Sequence, residues 1–240
     1  MTGAAGGCGR ETYITRLSAW APGIGNSGEW DEWARGKRDI SHNAKGPEIS
    51  FTDPLFRRRL SQISRMTVQV IHDLLPLGEN TKILFLSFRG EQCRQFQINK
   101  TLLEEKSVSP AAFSLSVYNA PAALAAIAFG LKGGYSALYP IKDSFYAGLK
   151  AAEAALFSAN EAADKNSPAP ELLFVYADET APPEFGRYSK ECPPPAAFGL
   201  LLSGTPRPPA IPLSSIKTDE DRPLAFIRQL LLSGGIHVSS

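Results

Sequence analysis

Three short apolar runs constrain the fold of this chain more than any other feature. Lys82–Phe88 (KILFLSF), Glu171–Ala177 (ELLFVYA) and Ala197–Ser203 (AFGLLLS) have no polar residue at their centres that could face water. Runs of this length and kind read as strands buried on both faces, inside a sheet covered by helices above and below. Tyr13–Trp20 and Tyr135–Pro140 read as further strands. Between them the spacing changes to that of helices. Leu60, Ile63, Met66, Val70, Ile71 and Leu74 form one helical face, stopped by Pro76 and Gly78. Glu91–Glu105 is expected to be helical, with Phe96, Leu102 and Leu103 on its apolar side, and Pro121–Phe129 is an Ala-rich helix closed by Gly130. Ser109 is placed to cap a short helix opened by Pro110. Ser144–Asn160 keeps Phe145, Leu149, Ala152 and Leu156 in register, and Arg222–Leu232 has Pro223 at its start and Gly234 beyond its end. Strands alternating with helices predict a layered α/β sheet with helices on both faces. No linker divides two cores, so residues 12–240 read as one domain and residues 1–11 as a disordered tail.

Composition removes several function classes. At 240 residues with 43% apolar and 20% charged positions, the chain can bury a substantial core and has the make-up of a soluble protein. A net charge of +1 gives no electrostatic reason to expect nucleic acid or an anionic membrane as partner. The longest apolar stretch, around Ala120–Phe129, is too short to span a bilayer. Met1–Arg10 has neither a basic start nor an apolar core, so no signal peptide is expected there. Cys8, Cys93 and Cys192 lie far apart without a CxxC pair, which points to a reduced, cytoplasmic setting. His42, His72 and His237 stand in no ligand spacing, and no metal or cofactor is expected.

Several motifs invite a chemical interpretation. Gly23-Ile24-Gly25-Asn26-Ser27-Gly28 fits GxGxxG after a strand, but a dinucleotide site needs a long helix starting at the third glycine. The segment Glu29–Gly36 breaks almost at once, so a glycine-rich loop with one helical turn at Trp30–Arg35 is expected. Cys93 follows a strand, a place where nucleophiles occur, yet a small apolar residue on a helix explains it as well. Arg57-Arg58-Arg59 with Arg65 is either a solvated helix start or a docking surface for an acidic partner. Strand, turn, Asp143-Ser144 and helix form the outline of a nucleophile elbow, although the sequence is not GxSxG. Capping of the helix Phe145–Asn160 by Asp143 or Ser144 is the simpler role.

Taken together, several segments resemble the N-terminal domain of β-ketoacyl synthases. They are Tyr13–Gly23 (YITRLSAWAPG), Arg57–Met66 (RRRLSQISRM), Ser109–Asn119 (SPAAFSLSVYN), Gly130–Gly133 (GLKG), Lys142–Leu149 and Tyr176-Ala177-Asp178. The particular resemblance is to the short ketosynthase-like chain-length factors of aryl polyene biosynthesis. It implies a layered thiolase-like half, a mixed sheet with helices on both faces, corresponding to the N-terminal half of a ketosynthase. The family carries Ala-Cys-Ala-x-Gly at its elbow, and the matching residues here are Ser144, Phe145, Tyr146, Ala147 and Gly148. Phe145 thus occupies the nucleophile's place, with Ser144 beside it. The two catalytic histidines of the family belong to a C-terminal half that this chain is expected to lack. Ser87-Phe88-Arg89-Gly90-Glu91 stands where relatives tend to have Ser-Arg-His-Gly-Glu.

The resemblance implies a catalytically inactive subunit, with no catalytic residue and no cofactor. Its expected partner is a full-length β-ketoacyl synthase, joined as a heterodimer. Through it the chain would meet an acyl carrier protein bearing a phosphopantetheine-linked acyl chain. Phe113, Ser116, Val117, Tyr118, Asn119, Ala120 and Ala123 are the candidates for pocket or interface. Bulky Phe113, Val117 and Tyr118 would limit chain growth, or would instead fill the subunit's own core. Two other readings stay open: a Ser144-dependent acyl transferase or thioesterase, and a purely structural stabiliser of the ketosynthase.

Overall fold

The computed structural model describes residues 11–42, 45–162 and 169–239. Residues 1–10, which hold Cys8 and almost all of the expected tail, lie outside the described residues. The chain opens with β1 (Tyr13–Trp20), α1 (Ser27–Ala34), α2 (Pro54–Arg57) and α3 (Gln62–His72). Next come β2 (Lys82–Leu86), α4 (Gln92–Glu105), α5 (Pro110–Ser114) and α6 (Ala120–Phe129). They are followed by β3 (Tyr135–Leu138), α7 (Phe145–Ala162), β4 (Glu171–Asp178), α8 (Arg187–Glu191) and β5 (Ala196–Ser203). The last elements are β6 (Ile211–Pro212), α9 (Pro223–Leu232) and β7 (Val238–Ser239).

The strands form one mixed sheet in the order β3-β2-β4-β5-β1-β6, with β7 also paired to β1. β2 runs parallel to β3 and β4, whereas β5 is antiparallel to both of its neighbours, β4 and β1. Parallel neighbours need a crossover, and here the helical segments between β2 and β3, and α7 between β3 and β4, supply it. Every residue of β5, and all of β4 except Glu171, is buried. Their alternate side chains face two separate cores. Leu172, Phe174 and Tyr176 with Phe198, Leu200 and Leu202 join Trp30, Trp33, Phe145, Leu149, Phe226 and Ile227 on one face. Leu173, Val175, Ala177 and Ala197 meet Ile63, Met66, Val70, Ile71, Leu74, Ala122 and Ala125 on the other. The apolar spacing read from Leu60 to Leu74 is therefore the face that α3 and its flanking residues turn to the sheet.

Some elements depart from expectation for local reasons. β2 stops at Leu86, because the Ser87 hydroxyl turns to the Asp178 carboxylate at 2.6 Å. α1 runs for eight residues rather than one turn, since the Asn26 side chain accepts from Glu29 N and starts it early. None of the residues of α4 is buried, and Leu103 on its expected apolar side is 72% exposed. Leu102 is exposed as well, while Phe96 packs edge-on against Phe185 at 5.4 Å.

One glycine sets the distance between α7 and the sheet. A Cβ at Gly148 would lie 2.7 and 2.9 Å from the two methyl carbons of Leu86, which is itself fully buried on β2. Gly148→Ala is expected to push α7 off the sheet and to destabilise the protein by about 1–3 kcal/mol. Urea denaturation of the two proteins checks this, and an unchanged midpoint would contradict it.

Candidate functional site

The elbow between β3 and α7 is built from the turn Ile141–Asp143 and an extended Ser144. Ser144 Oγ accepts from Ala147 N at 3.2 Å, the cap foreseen from the sequence, while the Asp143 side chain lies outside the described residues. The same hydroxyl donates to Asp221 Oδ2 at 2.5 Å, and Tyr146 N donates to Asp221 Oδ1 at 2.7 Å. Phe145, at the first helical position, is fully buried. Its ring centroid lies 5.4 Å from Phe226, 5.8 Å from Phe174, 5.9 Å from Phe198, and 6.2 Å from both Tyr146 and Tyr176. Edge-to-face and tilted pairs of this kind add about 0.5–1.5 kcal/mol each to simple burial. Covalent acyl transfer needs an accessible nucleophile at such a helix start. A phenyl ring enclosed by aromatic rings offers none.

Beside the elbow, the turn from β2 into α4 is tied to the end of β4 by buried polar groups. Asp178 accepts from the Ser87 hydroxyl, from Phe88 N and Arg89 N at 3.0 Å each, and from the Tyr176 hydroxyl at 2.9 Å. Arg89 Nε stands 3.8 Å away. Burial raises the Asp178 carboxyl above the usual range, and the Arg89 charge and the donors pull it back. Glu91, fully buried, accepts from the Ser61 and Ser64 hydroxyls at 2.7 Å each, with Arg94 Nε at 3.5 Å. Glu179 accepts from Cys93 N at 2.9 Å; burial first, then the Glu91 charge, pushes its carboxyl up to about 7. The Cys93 thiol donates to Thr180 O at 2.9 Å. Burial and the neighbouring Glu179 push that thiol up to about 12, so it is no nucleophile.

The candidate pocket residues divide by exposure. Phe113 is 61% and Val117 40% exposed, so neither fills this chain's own core. Ser116 and Ala120 are buried within the chain, and Asn119 and Ala123 are half-buried. Tyr118 acts as a pin. Its hydroxyl accepts from Ser87 N at 3.0 Å and lies against the carbonyls of Ser87 and Leu138, the latter at 2.6 Å. Its ring rests on Gly90, where φ is +59° and a Cβ would sit 2.6 Å from Cδ2 of the tyrosine. Arg94 Nη1 and Gln95 Nε2 hold the carbonyls of Leu115 and Ser116 at 3.3 and 3.0 Å. The segment is thereby fastened beside β3, the edge of the sheet, where Tyr139 is 64% and Ile141 73% exposed.

The other motifs resolve as structure. Gly25 N donates to Glu29 Oε2 at 2.6 Å and Ile24 N to Ala21 O at 3.2 Å, both within the GxGxxG segment and its flanks, and Trp30 and Trp33 of α1 are buried. Arg57 Nη1 and Arg65 Nη2 bond the carbonyls of Ile49 and Arg57, whereas Arg58 and Arg59 are exposed. His72 stacks on Phe51 at 3.6 Å. Among the described residues no group of three or more His, Cys, Asp or Glu is placed to hold a metal ion, and no helix is long and apolar enough to cross a membrane. Two participants escaped sequence reasoning. Asp221 and Glu179 carry no local signal, since their partners lie 75 or more residues away.

Residues 30–224 match the model of the beta-ketoacyl synthase N-terminal domain. The chain belongs to this family. A chain from the ketosynthase ApeO in complex with its chain length factor ApeC, from Xenorhabdus doucetiae, superposes with a TM-score of 0.68 at 26% identity. The match covers 95% of this chain and 94% of that one. The ishigamide ketosynthase/chain length factor gives a TM-score of 0.55 at 14% identity, over 81% of this chain and 58% of that one. A chain of AntDE:AntF, a type II PKS acyl-carrier protein in complex with its ketosynthase bound to the hexaketide, gives 0.58 at 14%, over 81% and 63%. No curated protein matches the chain. The mixed, helix-flanked sheet is the thiolase-like fold of the ketosynthase N-terminal domain.

Glu179 makes stability depend on pH. Its carboxyl titrates near 7 in the fold and at an ordinary value when unfolded, so its contribution is complete at low pH and is lost as pH rises through 7. Relative to Glu179→Gln, the wild type is expected to lose on the order of 3 kcal/mol between pH 4.5 and 8. Thermal unfolding of both proteins across this range measures it, and a constant difference would refute it.

Proposed function

We propose that this chain is a catalytically inactive, ketosynthase-like chain-length factor. In this role it pairs with an active, full-length β-ketoacyl synthase and bounds that enzyme's acyl pocket in aryl polyene biosynthesis. Phe145 carries the proposal: a fully buried ring occupies the place where the family's elbow pattern has its nucleophile. Such a subunit can bound a cavity but cannot take an acyl group into covalent linkage. Similarity to a chain from the ApeO–ApeC complex, over nearly the whole length of both chains, supports the choice of partner.

The surface supports a protein partner as well. β3 is an edge strand with an unpaired side, the kind of edge that soluble proteins cover or blunt. Exposed Phe113, Val117, Tyr139 and Ile141 offer apolar area near it, as interface cores do. On this reading Phe113 and Val117 limit the growing acyl chain, and Ser116, Tyr118, Asn119, Ala120 and Ala123 form the platform behind them. The acyl carrier protein delivers its phosphopantetheine-linked chain through the ketosynthase. Residues 12–240 act as one domain, in the cytoplasm.

Co-expression with a full-length β-ketoacyl synthase from the same source tests the pairing, and the two are expected to co-purify. Within that complex, Phe113→Ala is expected to lengthen the polyene product by at least one extension unit, as read by mass spectrometry. Unchanged length with the complex intact would remove the role from Phe113. The purified chain alone, incubated with an acyl carrier protein thioester, is expected to gain no acyl mass.

A further inference from the structure

One segment of the chain closes on three consecutive residues of the elbow. Asp221 binds Ser144 Oγ and Tyr146 N at 2.5 and 2.7 Å. The Thr218 backbone is hydrogen-bonded to the Tyr146 side chain, and the Phe226 ring lies 5.4 Å from Phe145 and 6.5 Å from Tyr146. Pro223 at the start of α9 restricts the chain between Asp221 and Phe226. The same segment, from Lys217 to Gln229, forms one wall of a cavity of about 1460 Å³ that also reaches Phe88, Tyr139 and Tyr176.

The amino terminus of a helix favours negative charge, because its first N–H groups lack partners within the helix. In an acyl-transfer elbow that preference steadies a thiolate and the oxyanion of the tetrahedral intermediate. Here a carboxylate of the chain itself already occupies it. A second anion brought to this spot would meet Asp221 at close range and be repelled by it.

We propose that Asp221, exposed but bound to Ser144 and Tyr146, is an intramolecular electrostatic seal that disfavours a thiolate or oxyanion at the α7 elbow whatever side chain stands at 144. The inference deepens the non-catalytic reading and rests on it: the nucleophile is absent, and the position it would use is occupied as well. A thiol at the elbow is therefore suppressed while Asp221 keeps its charge.

The test compares Ser144→Cys with Ser144→Cys/Asp221→Asn, both in the full chain and both leaving the buried Phe145 in place. Iodoacetamide alkylation at pH 7 is followed on the peptide containing residue 144, with half-buried Cys93 as the internal reference. The double variant is expected to react about tenfold faster at 144, with Cys93 unchanged. It alone is then expected to take an octanoyl group from octanoyl-N-acetylcysteamine. In that step the thiolate attacks the carbonyl carbon, a new C–S bond replaces the donor's, and N-acetylcysteamine leaves with the proton. Equal rates in the two variants, or an acceleration shared by Cys93, would overturn the seal. An acyl adduct on the wild-type chain would instead overturn the non-catalytic reading, so the two failures are told apart.

Discussion

The burial of Phe145 among aromatic rings is the constraint on which most of this structure depends. Its neighbours come from α7 itself (Tyr146), from β4 (Phe174 and Tyr176), from β5 (Phe198) and from α9 (Phe226), so one side chain joins helix, sheet centre and the last helix. Removing so large a side chain from a filled core leaves a cavity that the surroundings close only in part, at a cost of about 3–5 kcal/mol. Position 145, which the family resemblance aligns with the nucleophile, is a packing centre of this fold.

A second, polar centre fixes the turn on which Tyr118 rests. Asp178 gathers the Ser87 hydroxyl, two backbone N–H groups and Tyr176, and this closes the turn from β2 into α4. Buried charge is costly unless hydrogen-bonded, and these donors, with Arg89 nearby, meet that condition. The turn in turn positions Gly90 and Ser87, against which Tyr118 is pinned. Fixing Tyr118 leaves Phe113 and Val117 on the outside, beside the free edge of β3. The departure at Ser87–Glu91 from the usual family pattern falls in this hydrogen-bonded turn.

Tyr176 links the two centres, bonding Asp178 and packing on Phe145, while Asp221 ties the elbow to the segment before α9. A helix start that could hold an anion from outside holds one from within.

Much of this was legible in the sequence. The buried runs at β2, β4 and β5, the apolar face from Leu60 to Leu74 and the caps at Ser109 and Ser144 are local patterns, set by period and by side chains within a few residues. The family resemblance and the ring at position 145 were equally open to reading, since both are matters of residue identity along the chain. What lay beyond it were contacts between distant residues: Asp221 with Ser144, Glu179 with Cys93, Tyr118 with Ser87. The sequence did not decide whether Phe113 and Val117 face inward or outward, nor that Leu102 and Leu103 of α4 stay exposed. Such choices depend on which surfaces remain after the sheet has taken its helices. Local periodicity determines which residues want burial, and only the packed tertiary structure determines how many of them obtain it.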